Sequence, residues 1–406
     1  MPYYSSRFVK IGIAGPVSLE PLKPWIPKDF TLPSLYSFPL IGKLAAGLLT
    51  RGHDVAIFAG SEAIEETLSL AQGPLSLKIT PRRTRWAAYD FYAKEIRFLS
   101  DVMRSSHCDI IHAHWSYEFA KAALQSGTPT LITAHDSPSI IPSFYRWTRA
   151  HLFWLFRAQL GKQVIENAPN LTCVSPYLKK SILPLVPKSR AVQIIPNGVG
   201  ATLFKMGEDR LVGPSFSSPP CVVTCLEGFA SRKNPINALL GFAAFRNISP
   251  DATMVMYGGG FEMGGPAYQW ALKHRLVNGV IFKGHTPQSV MHQEMCDKST
   301  VLLHPALEES FGMAPLEAMA LGIPVVGGKD SGAIPYLLDH GKAGVLVDVR
   351  YPLDICDALI ALHEDPRKPH QLAKTAWEYA HSHFTEDLMI DRYCNAYTEI
   401  LRYPPS

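Results

Sequence analysis

The sequence predicts an α/β protein built as two Rossmann-like domains, each a parallel sheet covered by helices. Three observations predict it. Short apolar runs alternate with helix-length segments along the chain, the pattern of parallel strands joined by crossover helices. The 406 residues exceed what one ordinary core organises, so two domains of about 200 residues are the natural division. Between the halves lies KMGEDRLVGPSFSSPP, rich in Gly, Pro and Ser and without an apolar period, which reads as a linker.

Composition narrows what such a protein does. With 47% hydrophobic and 18% charged residues the chain is globular, not disordered. A net charge of +4 suits anionic small molecules or an anionic membrane surface and falls short of a nucleic-acid footprint. The seven cysteines show no C-x-x-C pair and no Cys/His metal spacing, which points to a reducing, cytoplasmic setting and to no metal site. The apolar run at 11–17 is broken by Gly and Pro and is too short for a secretory core, so it reads as the first strand. No run approaches the ~18 apolar residues of a membrane span, and the protein is expected to be soluble or peripheral.

In chain order the expected strands are 9–14, 55–59, 110–113, 130–134, 171–174 and 192–195, then 222–226, 254–257, 280–282, 301–303, 324–326 and 344–347. A dinucleotide dehydrogenase would show G-x-G-x-x-G straight after its first strand, and Gly12 and Gly15 do not form it. The segment 16–40 is instead a long, Pro-rich loop, a length usually functional, before a helix at 39–51. CDIIHAHWSYE ends a strand with His112, His114 and Trp115; the two histidines share a strand face but lack a third ligand of recognisable spacing. TLITAHDSP places His135 and Asp136 at the C-terminal end of a buried strand, where open parallel sheets bind ligands. The aromatic segment at 144–161, FYRWTRAHLFWLFRAQLG, is either a core or acceptor-lid helix or a weak peripheral membrane contact. In the second case Trp147 or Trp154 would lie near the interface and Arg149 or Arg157 near headgroups.

The second half carries the most specific stretch, HPALEESFGMAPLEAMALGIPVV from His304 to Val326. A strand leads into a loop with Glu308, Glu309 and Gly312. Pro315 is expected to start a helix that ends at Gly322, which puts Glu317 in its first turn. Free backbone N–H groups before such a helix bind phosphate or carboxylate.

Glu309 and Glu317, eight positions apart, resemble the E-x7-E motif of family 4 retaining glycosyltransferases of the GT-B fold, and the match continues through EAMALGIPVV. RGHDVAIF, LTCVSPYL, IIPNGV, VVTCLEGFASRKNP, VIFKGHTP and GGKDSGAIPYLL extend it over nearly the whole chain. The resemblance implies two domains facing across a cleft: an acceptor domain at 1–205, a linker at 206–220, a donor domain at 221–382, and a last helix at 383–406 returning to the first domain. It implies a nucleotide-sugar donor, a glycan or lipid-linked hydroxyl acceptor and no nucleic-acid partner. The nucleotide sugar is a substrate, and no cofactor is implied.

The implied roles are specific. Glu309 would meet the donor sugar, Glu317 the ribose hydroxyls, and the backbone around Ser310, Phe311, Gly312 and Met313 the phosphate and sugar. His135 would touch the sugar near the reacting centre, and Lys233 the diphosphate. Gly259, Gly284 and His285 would lie along the nucleotide, and Asp136, His114 and Trp115 on the acceptor side. Two departures stand out. Leu35 and Tyr36 occupy the place of a usual Gly-Gly pair, and Gly228 that of a usual arginine; Arg232 is adjacent to Lys233, but neighbours in an extended segment point apart. A non-catalytic sugar-nucleotide-binding relative and a sugar-nucleotide epimerase on the same architecture stay open as alternatives.

Overall fold

The structure is a computed structural model that describes residues 9–33, 35–36, 38–148, 150–213, 219–365 and 367–402. The chain divides into two compact units, Met1–Pro196 with Glu386–Ser406, and Asn197–Thr385.

The first unit is an eight-stranded sheet: β1 (Lys10–Ala14), β2 (Asp54–Ser61), β3 (Leu68–Gln72), β4 (Leu75–Pro81), β5 (Ile110–His114), β6 (Thr130–Ala134), β7 (Asn170–Cys173) and β8 (Val192–Ile194), in the order β3-β4-β2-β1-β5-β6-β7-β8. Neighbours run parallel except β3 and β4, which form an antiparallel hairpin. That hairpin was not among the six expected strands. Its sequence alternates apolar and polar residues because β3 is largely exposed at the sheet edge, whereas continuous apolar runs mark strands covered on both faces. The last helix, Glu386–Arg402, completes this unit. Met389, Ile390, Tyr393, Ala396, Tyr397 and Ile400 form its buried stripe, and Arg51 pairs with Asp387 and Asp391 at 2.9 and 3.0 Å.

The second unit has the six parallel strands expected, β9 (Cys221–Cys225), β10 (Thr253–Tyr257), β11 (Val280–Gly284), β12 (Val301–His304), β13 (Val325–Gly328) and β14 (Val345–Val347). Their order, β11-β10-β9-β12-β13-β14, reverses direction between β9 and β12. Loops diverge at that point, and open α/β sheets bind ligands there.

The expected linker is corrected in part. Ala201–Val212 is a helix of the second unit, with Leu203, Phe204 and Gly207 buried. Gly207 lies so close to the helix Met313–Ala320 that an added Cβ would stand 2.0 Å from the Ala320 carbonyl oxygen. Polar residues on its outer face hid the helix from a search for apolar runs. The rest of the expected linker falls largely on 214–218, outside the described residues.

Candidate active site

The loops after β9 and β12 meet at the switch point of the second unit. Ser231–Lys233 forms one 3-10 turn, and Leu307 N–H donates to the Arg232 carbonyl at 2.8 Å. Arg232 Nη1 donates to the Glu308 carbonyl at 3.1 Å and to its Oε2 at 3.0 Å, while the Lys233 ammonium pairs with Glu309 Oε1. The expectation that Arg232 and Lys233 point apart is thereby corrected. The segment is a turn, not extended, and both cations face the adjacent carboxylates.

Burial alone would raise the Glu309 carboxyl, but Lys233, His304 and Arg232 outweigh it and hold it well below the usual range. Glu308 goes the other way, because desolvation exceeds the pull of Arg232 and the Glu309 charge adds to the rise. His304, at the end of β12, is buried with Nε2 3.4 Å from Glu309 Oε1. Sequence reasoning gave it no role, since one histidine closing a strand carries no spacing signal.

The helix after this loop starts at Met313, not at Pro315. Gly312 makes the turn with φ +104°, a conformation that favours glycine, and an added Cβ would meet Ile334 at 2.8 Å. Glu317 therefore sits beyond the first turn, where the helix dipole has little hold on a carboxylate. It is instead buried, accepting from Gln288 Nε2 at 2.7 Å through Oε1, with His292 Nε2 3.2 Å from Oε2. Gln288 and His292 are four apart on the helix Gln288–Lys298 and share a face. Both were missed, and only that spacing could have paired them. Phe311 is buried with its ring edge on Phe384 at 5.7 Å, so only its backbone is available to a ligand. Ser310 Oγ stands 3.4 Å from Glu308 Oε1, and Met313 is half-buried.

A glycine rim lines the C-terminal ends of β9, β10 and β11. Gly228 N–H donates to the Gly259 carbonyl at 3.0 Å, and Gly258 N–H to the Gly284 carbonyl at 2.9 Å. Gly258, at φ +113°, approaches so closely that an added Cβ would stand 1.7 Å from the Leu226 carbonyl oxygen. His285 is exposed on the same rim, 3.6 Å from Glu227 Oε1. Gly259, Gly284 and His285 thus lie together on this rim.

In the first unit, β5 and β6 bring the histidines into one row. His112 bonds Tyr397 Oη and Thr133 Oγ1, each at 2.7 Å, and its ring lies 4.0 Å from that of His114. His114 Nδ1 and His135 Nε2 are 2.9 Å apart. The Trp115 ring lies 4.4 Å from that of His135, and Trp115 adopts φ +64°, an outlier for a bulky residue. Burial depresses the His135 imidazole to about 3 and holds His112 and His114 well below their ordinary value, so all three are neutral. Placing His114 on the acceptor side is corrected. It is only 2% exposed, because both faces of this strand are covered, and it meets His135 instead of solvent. Asp136 Oδ1 accepts from Tyr117 Oη at 2.7 Å, and the Arg157 guanidinium lies 3.7 Å over the Tyr117 ring.

The aromatic segment at 144–161 is not one helix. A 3-10 turn, Ile141–Tyr145, precedes the helix His151–Asn167. Arg157 pairs with Glu118 at 3.5 Å and is largely shielded, and Trp154 is half-buried and stacks on Tyr145 at 5.0 Å. Arg149 lies outside the described residues. Exposed instead are Trp147, Leu152 and Leu155, with Trp86 and Tyr89 from the turn Arg85–Asp90. Arg146 lies against Trp147 and Arg85 against Trp86, each at 5.5 Å. Among the described residues no helix is long and apolar enough to cross a membrane.

Two family models match the chain. The one described as Glycosyltransferase Family 4 covers residues 40–202, and the one described as Glycosyl transferases group 1 covers residues 215–379. The chain is 23% identical over 316 residues to the N-acetyl-alpha-D-glucosaminyl L-malate synthase of Bacillus anthracis, covering 75% of this chain and 78% of that protein. Its fold matches sucrose-phosphate synthase from Thermosynechococcus elongatus with TM-score 0.75 at 17% identity, over 97% of this chain and 99% of the other. It also matches Anabaena HepE, solved with UDP and glucose, with TM-score 0.66 at 17% identity, over 96% and 100%. Each unit thus carries its own glycosyltransferase signature, and the chain belongs to the family 4 glycosyltransferases with the GT-B fold.

Proposed function

We propose that the protein transfers a sugar from a nucleoside-diphosphate donor to a hydroxyl of a glycan or lipid-linked acceptor, with retention of the anomeric configuration. The observation that carries this reading is the double pairing of Arg232 with Glu308 and Lys233 with Glu309 at the switch point. Two cations lie there beside the carboxylate assigned to the sugar, in front of a helix N-terminus. In this reading Lys233 and the backbone from Gly312 onward hold the diphosphate and stabilise the charge that develops on it. Arg232, beside Lys233, supplies positive charge that the glycine at 228 does not. Glu317, held by Gln288, accepts from the ribose hydroxyls, and the glycine rim with His285 lets the nucleotide approach the backbone. Glu309 and His135 orient the sugar, and Asp136 and Trp115 border the acceptor. In this reading the diphosphate is met by these groups and no metal takes part.

The exposed Trp86, Trp147 and Leu152, with Arg85 and Arg146, favour weak peripheral contact with an anionic membrane on the cytoplasmic side. That contact would suit a lipid-linked acceptor. A thermal-shift screen against nucleoside diphosphates and their sugars tests donor binding, since a ligand of the native state raises its stability. NMR of the product then reads the anomeric configuration. Inversion overturns the mechanism, and binding without transfer to any acceptor or water reduces the protein to a non-catalytic relative.

A further inference from the structure

We infer that His114 is a positioning residue that fixes His135 in a single tautomer, with its proton on Nδ1, so that His135 meets substrate as a hydrogen-bond donor and not as a base. The inference rests on the reading of His135 as the residue that orients the sugar.

It follows from a count of protons. His114 Nδ1 and His135 Nε2 are 2.9 Å apart, so one of these nitrogens must donate to the other. If His135 donated from Nε2, then neutral His114 would carry its own proton on Nε2. That atom is buried and has no hydrogen-bond partner among the described residues. A protonated His135 would donate the same way and leave the same orphan. If His114 donates from Nδ1, its Nε2 is a bare lone pair. A buried N–H without an acceptor is rarer and costlier than a buried acceptor without a donor. His114 therefore donates, His135 accepts on Nε2, and the single proton of neutral His135 lies on Nδ1.

Packing keeps this arrangement in place. The His114 ring packs at a tilt against that of His112, which is held at both nitrogens by Tyr397 and Thr133. The Trp115 ring packs against that of His135. Among the described residues Nε2 is the only ring nitrogen of His135 with a hydrogen bond, which leaves Nδ1–H for a substrate oxygen. Such a group orients a sugar hydroxyl but accepts no proton. As the bond from the acceptor oxygen to the anomeric carbon forms and the bond from that carbon to the diphosphate breaks, the acceptor's proton passes to a diphosphate oxygen.

Long-range 15N NMR of the full chain labelled at histidine reads which nitrogen of His135 is protonated, with the resonance assigned by its loss in His135→Asn. The expected result is Nδ1–H. His114→Asn keeps an amide N–H near the position of Nδ1 and should keep both the tautomer and kcat. His114→Phe should mix the tautomers and lower kcat about ten- to a hundredfold at unchanged donor KM, because misplacing a reacting group by about 1 Å costs rate on that scale. A proton on Nε2 of wild-type His135, or equal loss in the Asn and Phe variants, overturns the proposal. If the Phe variant does not fold, the wild-type spectrum alone decides. A fully active His135→Ala would overturn the reading of His135 itself, while the tautomer assignment would stand on its own spectrum.

Discussion

Lys233 and Glu309, from loops 76 residues apart in sequence, form an ion pair with their side chains only 13% and 14% exposed. Removing one partner leaves a shielded charge without compensation. Lys233→Met should destabilise the fold by about 3 kcal/mol, and adding Glu309→Gln should recover most of that loss. Urea unfolding of the two single variants and the double variant measures the coupling. Simple additivity would show the pair to be structurally idle.

Glu317→Ala should weaken nucleoside-diphosphate binding by about 1–3 kcal/mol, through loss of charge-assisted hydrogen bonds. Gln288→Ala should have a smaller effect of the same sign, because the carboxylate remains but loses its orienting amide. Calorimetric titration with the diphosphate checks both. Wild-type affinity in the Glu317 variant would reduce this carboxylate to a packing partner of Gln288 and His292.

His135→Ala should lower kcat far more than it raises the donor KM, since an interaction formed in the transition state shows in turnover. An unchanged rate at saturating substrates removes His135 from the chemistry.

Acid should destabilise the first unit. Burial holds His135 neutral down to about pH 3, and the unfolded imidazole takes up a proton near 6.5. Between those values the unfolded state binds more protons, so stability rises with pH, is fully present above about 6.5 and is lost as pH falls through the window. His112 and His114 are depressed in the same direction and add to the slope. The urea midpoint should fall between about pH 7 and pH 4.5, and His135→Asn should flatten the fall. A midpoint constant over that range would contradict the neutral histidine row.

Association with anionic vesicles should be weak, salt-sensitive and reduced in a Trp86→Ala/Trp147→Ala double variant, as sedimentation at low and high salt would show. Protein that stays in the supernatant at low salt points to a soluble acceptor.

The second unit was legible because its central strands are covered on both faces and its site residues lie beyond strand ends. Glu309, Glu317, Gly259 and Lys233 each follow a strand end that an apolar run had marked. What escaped depends on contacts across long separations or on local turn geometry. The hairpin β3–β4 alternates instead of running apolar, and Arg232 turned toward Glu308 because three residues coil into a 3-10 turn. Gln288, His292 and His304 carry no motif, and their place beside Glu317 and Glu309 comes from packing between neighbouring elements. His114 was visible as a residue, but its burial was not, because a strand residue next to a loop reads equally well as a rim position.

The last helix has a consequence for biosynthesis. Tyr397 closes on His112 across 285 residues, and Tyr393 packs against the same ring. A ribosome must therefore complete the entire second unit before the first can bury its own histidine row. During synthesis the first sheet waits with apolar surface open, the condition in which nascent chains engage chaperones. Closing so long a loop is slow relative to local folding. A chain cut before Glu386 would leave the amino-terminal half unfinished although every strand of it had been made.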